Sequence, residues 1–167
     1  LSFTQTLTTL VSSMPLELGI VLLSMIPVAE LRFAIPYAIA HDMSPIIAFL
    51  LSVIGNTLPI PFIILFIRPI FNYMKRFKIL HKLVTKLEEK GEKNKDSILK
   101  YEFWGLMIFV AIPLPGTGAW TGALVAAMLD MRLKKAFSSI FLGVVGAGVI
   151  VTLASTILKN VIGFFIA

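Results

Sequence analysis

Residues 26–40 read Ile-Pro-Val-Ala-Glu-Leu-Arg-Phe-Ala-Ile-Pro-Tyr-Ala-Ile-Ala, an acid and a base bracketed by two prolines inside otherwise hydrocarbon-like sequence. Glu30 and Arg32 have no other formal charge near them before Asp42. At membrane depth each such charge costs about 2.5 kcal/mol or more, so it needs a setting lined by protein or water. Pro27, Glu30, Arg32 and Pro36 therefore mark the first candidate site.

The wider composition supports a lipid setting. The chain has 167 residues, 57% of them hydrophobic and only 14% charged, with a mean hydropathy of +0.93. A soluble domain carries roughly 25% charged residues. The apolar residues fall into runs rather than alternating along strands, which predicts an all-α membrane protein and not a barrel.

Two half-length segments flank the Pro27 break. Pro15 to Met25 is too short to cross about 30 Å of hydrocarbon, and the helix resumes from Pro27 to Ala40. That pattern predicts a re-entrant hairpin; one kinked spanning helix from Pro15 to Ala40 is the alternative. His41 to Pro45 reads as a turn, with Ser44 as N-cap and Pro45 at the first helical position of the next element. Pro45 to Ile67 is the clearest spanning segment, with Asn56, Pro59 and Pro61 as kinks or cavity-lining bends.

From Arg68 to Lys100 the chain turns basic. Tyr73, Phe77, Leu80, Val84 and Leu87 recur at helical steps among lysines, predicting an amphipathic helix on an anionic leaflet, followed by a solvated loop at Gly91 to Lys95. Most of the Lys and Arg lie here, which places the linker in the cytoplasm of a multi-pass plasma-membrane protein and argues against nucleic acid as a partner. Leu1 to Ser13 could be a short interfacial helix and carries no basic signal-peptide start.

The second half repeats the design. Tyr101 to Ile112 and Ala119 to Leu129 are short apolar segments separated by Pro113-Leu114-Pro115-Gly116-Thr117-Gly118. Asp130 to Lys135 reads as a turn, and Ala136 to Leu158 as a span whose Gly143, Gly146 and Gly148 suit close helix packing. Ile26-Pro27 answers Ile112-Pro113, Ala38 to Ala40 answers Leu124 to Ala126, and Asp42-Met43 answers Asp130-Met131 after a small insertion. The single membrane domain thus divides into repeat 1 (14–67), the linker (68–100) and repeat 2 (101–160). Charge placement gives the halves opposite orientations, an inverted repeat whose broken segments would meet near the midplane.

The amides of the Pro115-Gly116-Thr117-Gly118 break and the next helix N-terminus suit an anion, and Arg32 adds a planar donor fork. Burial and Arg32 act in opposite directions on the Glu30 carboxyl, so its protonation would respond to occupancy and could couple transport to protons. Two residues apart, Glu30 and Arg32 can pair directly only if the helix is broken there; they could equally be a scaffold tying the hairpins together. Trp120 reads as cavity lining or interfacial anchor, and Asp42 and Asp130 as turn residues. With no cysteine and only the isolated His41 and His81, neither a metal site nor a thiol nucleophile is expected, and no cofactor or enzymatic activity.

Pro-Val-Ala-Glu-Leu-Arg-Phe-Ala-Ile-Pro at 27–36 and Pro-Leu-Pro-Gly-Thr-Gly-Ala-Trp-Thr-Gly-Ala at 113–123 resemble the small multidrug export protein family, over essentially the whole chain. More distantly the sequence looks like the DedA superfamily, whose members have two facing re-entrant hairpins and are implicated in moving lipids, including undecaprenyl phosphate. On that resemblance Glu30 matches the acid of the first hairpin and Pro115-Gly116 the turn of the second. The Arg that usually follows that turn is replaced by Thr117, Gly118, Ala119 and Trp120, and Arg32 could supply the charge instead. The resemblance implies a transporter of an amphiphile, an anionic lipid or lipid-linked phosphate; with the residues of the two breaks, the expected site comprises Glu30, Arg32, Pro27, Pro36, Pro113, Pro115, Gly116, Thr117, Gly118 and Trp120. Export of small drugs and a non-transporting membrane scaffold are the alternatives. A homodimer is compatible with so few spans.

Overall fold

The structure, a computed structural model, describes residues 14–74, 95–114 and 116–166. The expectations for Leu1 to Ser13, for most of the amphipathic linker and for Pro115 lie outside the described residues. Seven helices and no strands are found among those described: α1 (Leu16–Met25), α2 (Glu30–Ala40), α3 (Pro45–Thr57), α4 (Ile60–Met74), α5 (Lys95–Ala111), α6 (Ala119–Met128) and α7 (Leu133–Ile166).

Proline placement sets the early boundaries. Pro15 precedes α1 with Glu17 in its first turn, where an acid meets the positive end of the helix. Ten residues give only about 15 Å, and the helix ends at the Ile26-Pro27 break. Pro36 sits inside α2 on its exposed side, where a missing N–H costs least. Ser44 and Pro45 occupy the expected start of α3, although no Ser44 side-chain cap is made.

Among the described residues, two stretches are long and apolar enough to cross a membrane: Pro45–Ile67, with 23 residues and mean hydropathy 2.2, and Leu133–Gly163, with 31 residues and mean hydropathy 2.3. The first bends at Leu58-Pro59, between α3 and α4. Around it the helical bonds from the Leu58 amide to the Ile54 carbonyl and from the Ile63 amide to the Pro59 carbonyl persist. Ile46, Phe62, Phe66, Leu153 and Ile157 lie exposed on the outside, an apolar surface too extensive for water and suited to acyl chains.

α1 and α2 pack against each other and on α3, while α5 and α6 pack on α7. The second arms cross over: α2 also contacts α7, and α6 contacts α4. Ile20, Leu23, Leu31, Ile35, Ile140 and Val144 fill the shared centre. Glycines permit the closest approaches. A side chain at Gly143 would meet the Met107 carbonyl and Val110 Cβ at 2.7 Å, one at Gly148 the Phe49 ring at 2.8 Å, and one at Gly146 Ala111 Cβ at 3.3 Å. Gly55 lies in the same way against the Val21 carbonyl and Ser24 Cβ.

The same backbone turn ends α2 and α6. The Met43 amide donates to the Ala38 carbonyl at 3.0 Å and the Met131 amide to the Ala126 carbonyl at 3.0 Å. The Asp42 amide donates to Ile39 and the Asp130 amide to Ala127, both at 3.2 Å. Each aspartate takes the left-handed conformation, with φ of 63° and 50°, as a helix-terminating residue of this motif must. The shared turn aligns Ala38 with Ala126, two residues beyond the Ala38–Leu124 match read from sequence.

Several boundaries differ from the sequence reading, α2 starting at Glu30 rather than Pro27. α4 runs past Ile67 to Met74, α5 starts at Lys95 rather than Tyr101, and α7 extends from Leu133 to Ile166. Apolar runs locate the hydrocarbon, whereas Lys, Arg and Leu are good helix formers on either side of it.

Candidate functional site

The two breaks meet. Arg32, near the start of α2, reaches across to the Pro113 break, where its Nη1 donates to the Leu114 carbonyl and its Nη2 to the Ile112 carbonyl at 3.2 Å and to Thr117 Oγ1 at 3.0 Å. Thr117 turns its own hydroxyl to the same carbonyls, 2.6 Å from Ile112 O and 2.8 Å from Leu114 O. A guanidinium thus sits on the negative end of α5, where carbonyls left without helical partners collect.

Glu30 does the converse at α6. Its Oε1 accepts from the Trp120 backbone N–H at 3.4 Å. Gly118, the N-cap of α6, lies so close that an added Cβ would overlap the carboxylate. Glu30 is 5% exposed, and its carboxylate occupies the positive end of the helix, the place a bound anion would take. Glu30 is held there by a left-handed backbone, φ 49°, uncommon for a residue with a side chain. Trp120 closes the ring of contacts: its indole Nε1 donates to the Met25 carbonyl, at the end of α1, at 3.1 Å.

Glu30 and Arg32 make no ion pair with each other. Each instead serves a helix end in the opposite half, which the break in helix geometry at Ala29-Glu30 permits. The amide end of α6, read from sequence as an anion site, is filled by the protein's own carboxylate, and the Arg32 fork is engaged on carbonyls. Gly116 takes φ +84° on the exposed rim, a conformation suited to glycine. Pro113 is half-buried in the second break, Pro27 lies exposed in the first, and Pro36 faces outward one turn beyond Arg32. Thus Glu30, Arg32, Thr117, Gly118 and Trp120 form one cluster, and Pro27, Pro36, Pro113 and Gly116 shape the chain around it.

Beside Trp120 opens a groove of about 450 Å³ lined by Met25, Pro59, Phe62, Phe66, Ile67 and Trp120, without polar lining. The Pro59 bend forms its wall. A residue that sequence reasoning missed completes the centre. Asn56 is fully buried, lines a narrow space shared with Glu30 and Arg32, and leaves its Oδ1 without a hydrogen-bond donor. An unmet buried acceptor costs about 1–3 kcal/mol. Its only sequence signal was a lone amide in an apolar span, read as one of several interruptions.

Ion pairs among the described residues fasten the periphery. Lys159 donates to Asp42 Oδ1 and to the Ile39 carbonyl at 2.7 Å each, and Lys135 lies 2.5 Å from Glu102. The Lys159 ammonium holds the exposed Asp42 carboxyl below the ordinary carboxylate range, chiefly through that hydrogen bond and its charge. No group of metal-ligating side chains occurs among the described residues.

A family model described as "putative small multi-drug export protein" matches residues 30–150. The chain belongs to that family. The match opens at Glu30 and runs through Arg32, Asn56 and the whole second break into α7, so the cluster lies inside the small multi-drug export region while α1 precedes it. No curated protein and no solved structure matches the chain.

Proposed function

We propose that this chain is a plasma-membrane transporter that moves an amphiphilic substrate through the meeting point of its two breaks. The observation that carries the reading is the Glu30 carboxylate seated on the α6 N-terminus beside a groove of about 450 Å³ without polar lining. An anion already occupies a helix end there, with a guanidinium close by and hydrocarbon alongside. An anionic lipid or lipid-linked phosphate presents that combination, and its headgroup would take the helix end when Glu30 leaves it. The acyl portion would lie in the groove between α4 and Trp120.

In this reading α1–α2 and α5–α6 are re-entrant hairpins of an inverted repeat, distantly DedA-like, and the basic linker lies in the cytoplasm. The recurring aspartate turns, the matched glycine contacts at Gly55 and Gly143, and the crossed packing of α2 and α6 support that arrangement. Alternating exposure would come from breaking the contacts that Arg32, Glu30 and Trp120 make across the two halves. A homodimer would give each narrow protomer a stable neighbour.

A second reading is export of a cationic amphiphile attracted to Glu30, favoured by the family description and by the wholly apolar groove. Reconstitution in liposomes separates them. Flipping of a labelled anionic lipid, with cationic dye retained, supports the first; dye efflux alone supports the second. If folded wild type and the Glu30→Gln and Arg32→Ala variants all behave like empty liposomes in both assays, transport is the wrong function.

A further inference from the structure

Among the buried polar atoms of the described residues that lack partners, two belong to side chains that line the same space: Arg32 Nε, a donor, and Asn56 Oδ1, an acceptor. Both side chains line one narrow space with Glu30 and the hydrocarbon of Val110, Val144 and Ala147. No part of it is wide enough for a water molecule, which would need room and two or more polar partners. Asn56 is 1% exposed, so bulk water does not reach it. What would satisfy both atoms is a neutral group carrying one donor and one acceptor.

A protonated carboxyl is such a group, and Glu30 lines the space. As a carboxylate it can only accept, which suits the Trp120 N–H and leaves Asn56 Oδ1 unmet. With a proton it gains the missing O–H. We propose that Glu30 has two seats: as a carboxylate on the α6 N-terminus, and as a carboxylic acid donating to Asn56 Oδ1 while accepting from Arg32 Nε–H. Asn56 thereby belongs to the binding site, and the ligand of this second seat is a proton.

The inference rests on the reading that Glu30 yields the α6 end to substrate, and it supplies the exchange. A proton leaves a bulk hydronium ion and bonds to a Glu30 oxygen, the hydrogen bond from Trp120 N–H breaks, and the bonds with Asn56 and Arg32 form. The helix end is then open to a headgroup; return of Glu30 releases the proton to water and expels the headgroup. The groups facing Glu30 are Arg32 on its own helix, the Trp120 amide and Gly118 from α6, Asn56 from α3, and uncharged Val110 and Val144 from α5 and α7. Arg32 is the one full charge among them.

Infrared difference spectroscopy of the purified protein between neutral and acid pH tests this without any transport assay. The expected result is a carboxylic-acid C=O band that Glu30→Gln abolishes. Asn56→Leu should move it to higher wavenumber by removing the acceptor, and Asn56→Thr, which keeps one, should restore it most of the way. In liposomes Asn56→Leu should slow substrate movement at least tenfold with its fold intact by gel filtration. A band absent from wild type, or unmoved in folded Asn56→Leu, overturns the proposal. If the band behaves as expected but wild type moves no substrate, the second seat stands and the transport reading fails.

Discussion

Gly118→Ala probes the contact on which the site depends. The backbone at Gly118, φ −83° and ψ −172°, is ordinary extended geometry that alanine adopts freely, so the substitution acts through its methyl group. That methyl falls on the Glu30 carboxylate, which must leave the α6 N-terminus or push α6 away. Losing a charge-assisted hydrogen bond costs about 1.5–3 kcal/mol, and a partly buried helix-dipole contact up to about 2 kcal/mol. These overlap, since both describe one carboxylate at one helix end. Together with the poorer N-cap, a loss of about 2–4 kcal/mol is expected. Denaturant unfolding in mixed micelles measures it, and a Glu30→Ala background isolates the cause. With the carboxylate gone, Gly118→Ala should cost about 1 kcal/mol or less, the N-cap term alone. An equal cost in both backgrounds would refute the placement of Glu30.

Other consequences follow from the same contacts. Gly55→Ala and Gly143→Ala drive a methyl into the backbone of α1 and α5 respectively and should each cost about 1–3 kcal/mol. Gly105→Ala, with nothing within 4 Å, should be neutral or stabilising by about 0.5–1 kcal/mol in the same unfolding assay. Trp120→Phe removes the bond to the Met25 carbonyl and should cost about 1 kcal/mol by that measure. Because Lys159 depresses the folded-state Asp42 carboxyl, its stabilising effect is full above the unfolded value of about 3.9 and disappears as pH falls through the folded one. Hydrogen exchange in the 41–44 turn should therefore be faster in Asp42→Asn than in wild type near neutral pH, and the two should converge in acid; a gap that persists in acid would contradict the pairing. The sequence contains no cysteine, so a cysteine at Ser44 should label from outside the cell and one at Gly91 only from inside.

The positions of the breaks were legible because proline and charge punctuate an apolar background. Pro15, Pro27, Pro45 and Pro113 sit at or beside helix ends, and the span Pro45–Ile67 could be delimited by composition alone. Partnership was not legible. Glu30 and Arg32 invite pairing when read along the chain, but they engage helix ends 80 or more residues away, and no local pattern encodes which carbonyls or amides will be left over. Gly118 read as an open anion-binding amide, whereas its missing side chain is the space that admits Glu30. Asn56 was ambiguous because a lone amide in a span can kink, cap or line a cavity, and only its burial without a donor distinguishes these. The recurrence of Asp-Met at 42–43 and 130–131 was visible, yet the likeness of the two turns, with Ala38 and Ala126 as corresponding acceptors, needed the hydrogen bonds.

If substrate passes where the two breaks meet, the breaks must part for it to do so. Trp120 and Met25 join them through one hydrogen bond of 3.1 Å, so a Met25→Cys, Trp120→Cys variant bridged by a short cleavable thiol cross-linker would hold them together. Movement of labelled anionic lipid across liposomes containing that variant should stop on cross-linking and return on reduction. Transport continuing at an unchanged rate in fully cross-linked protein would contradict the account.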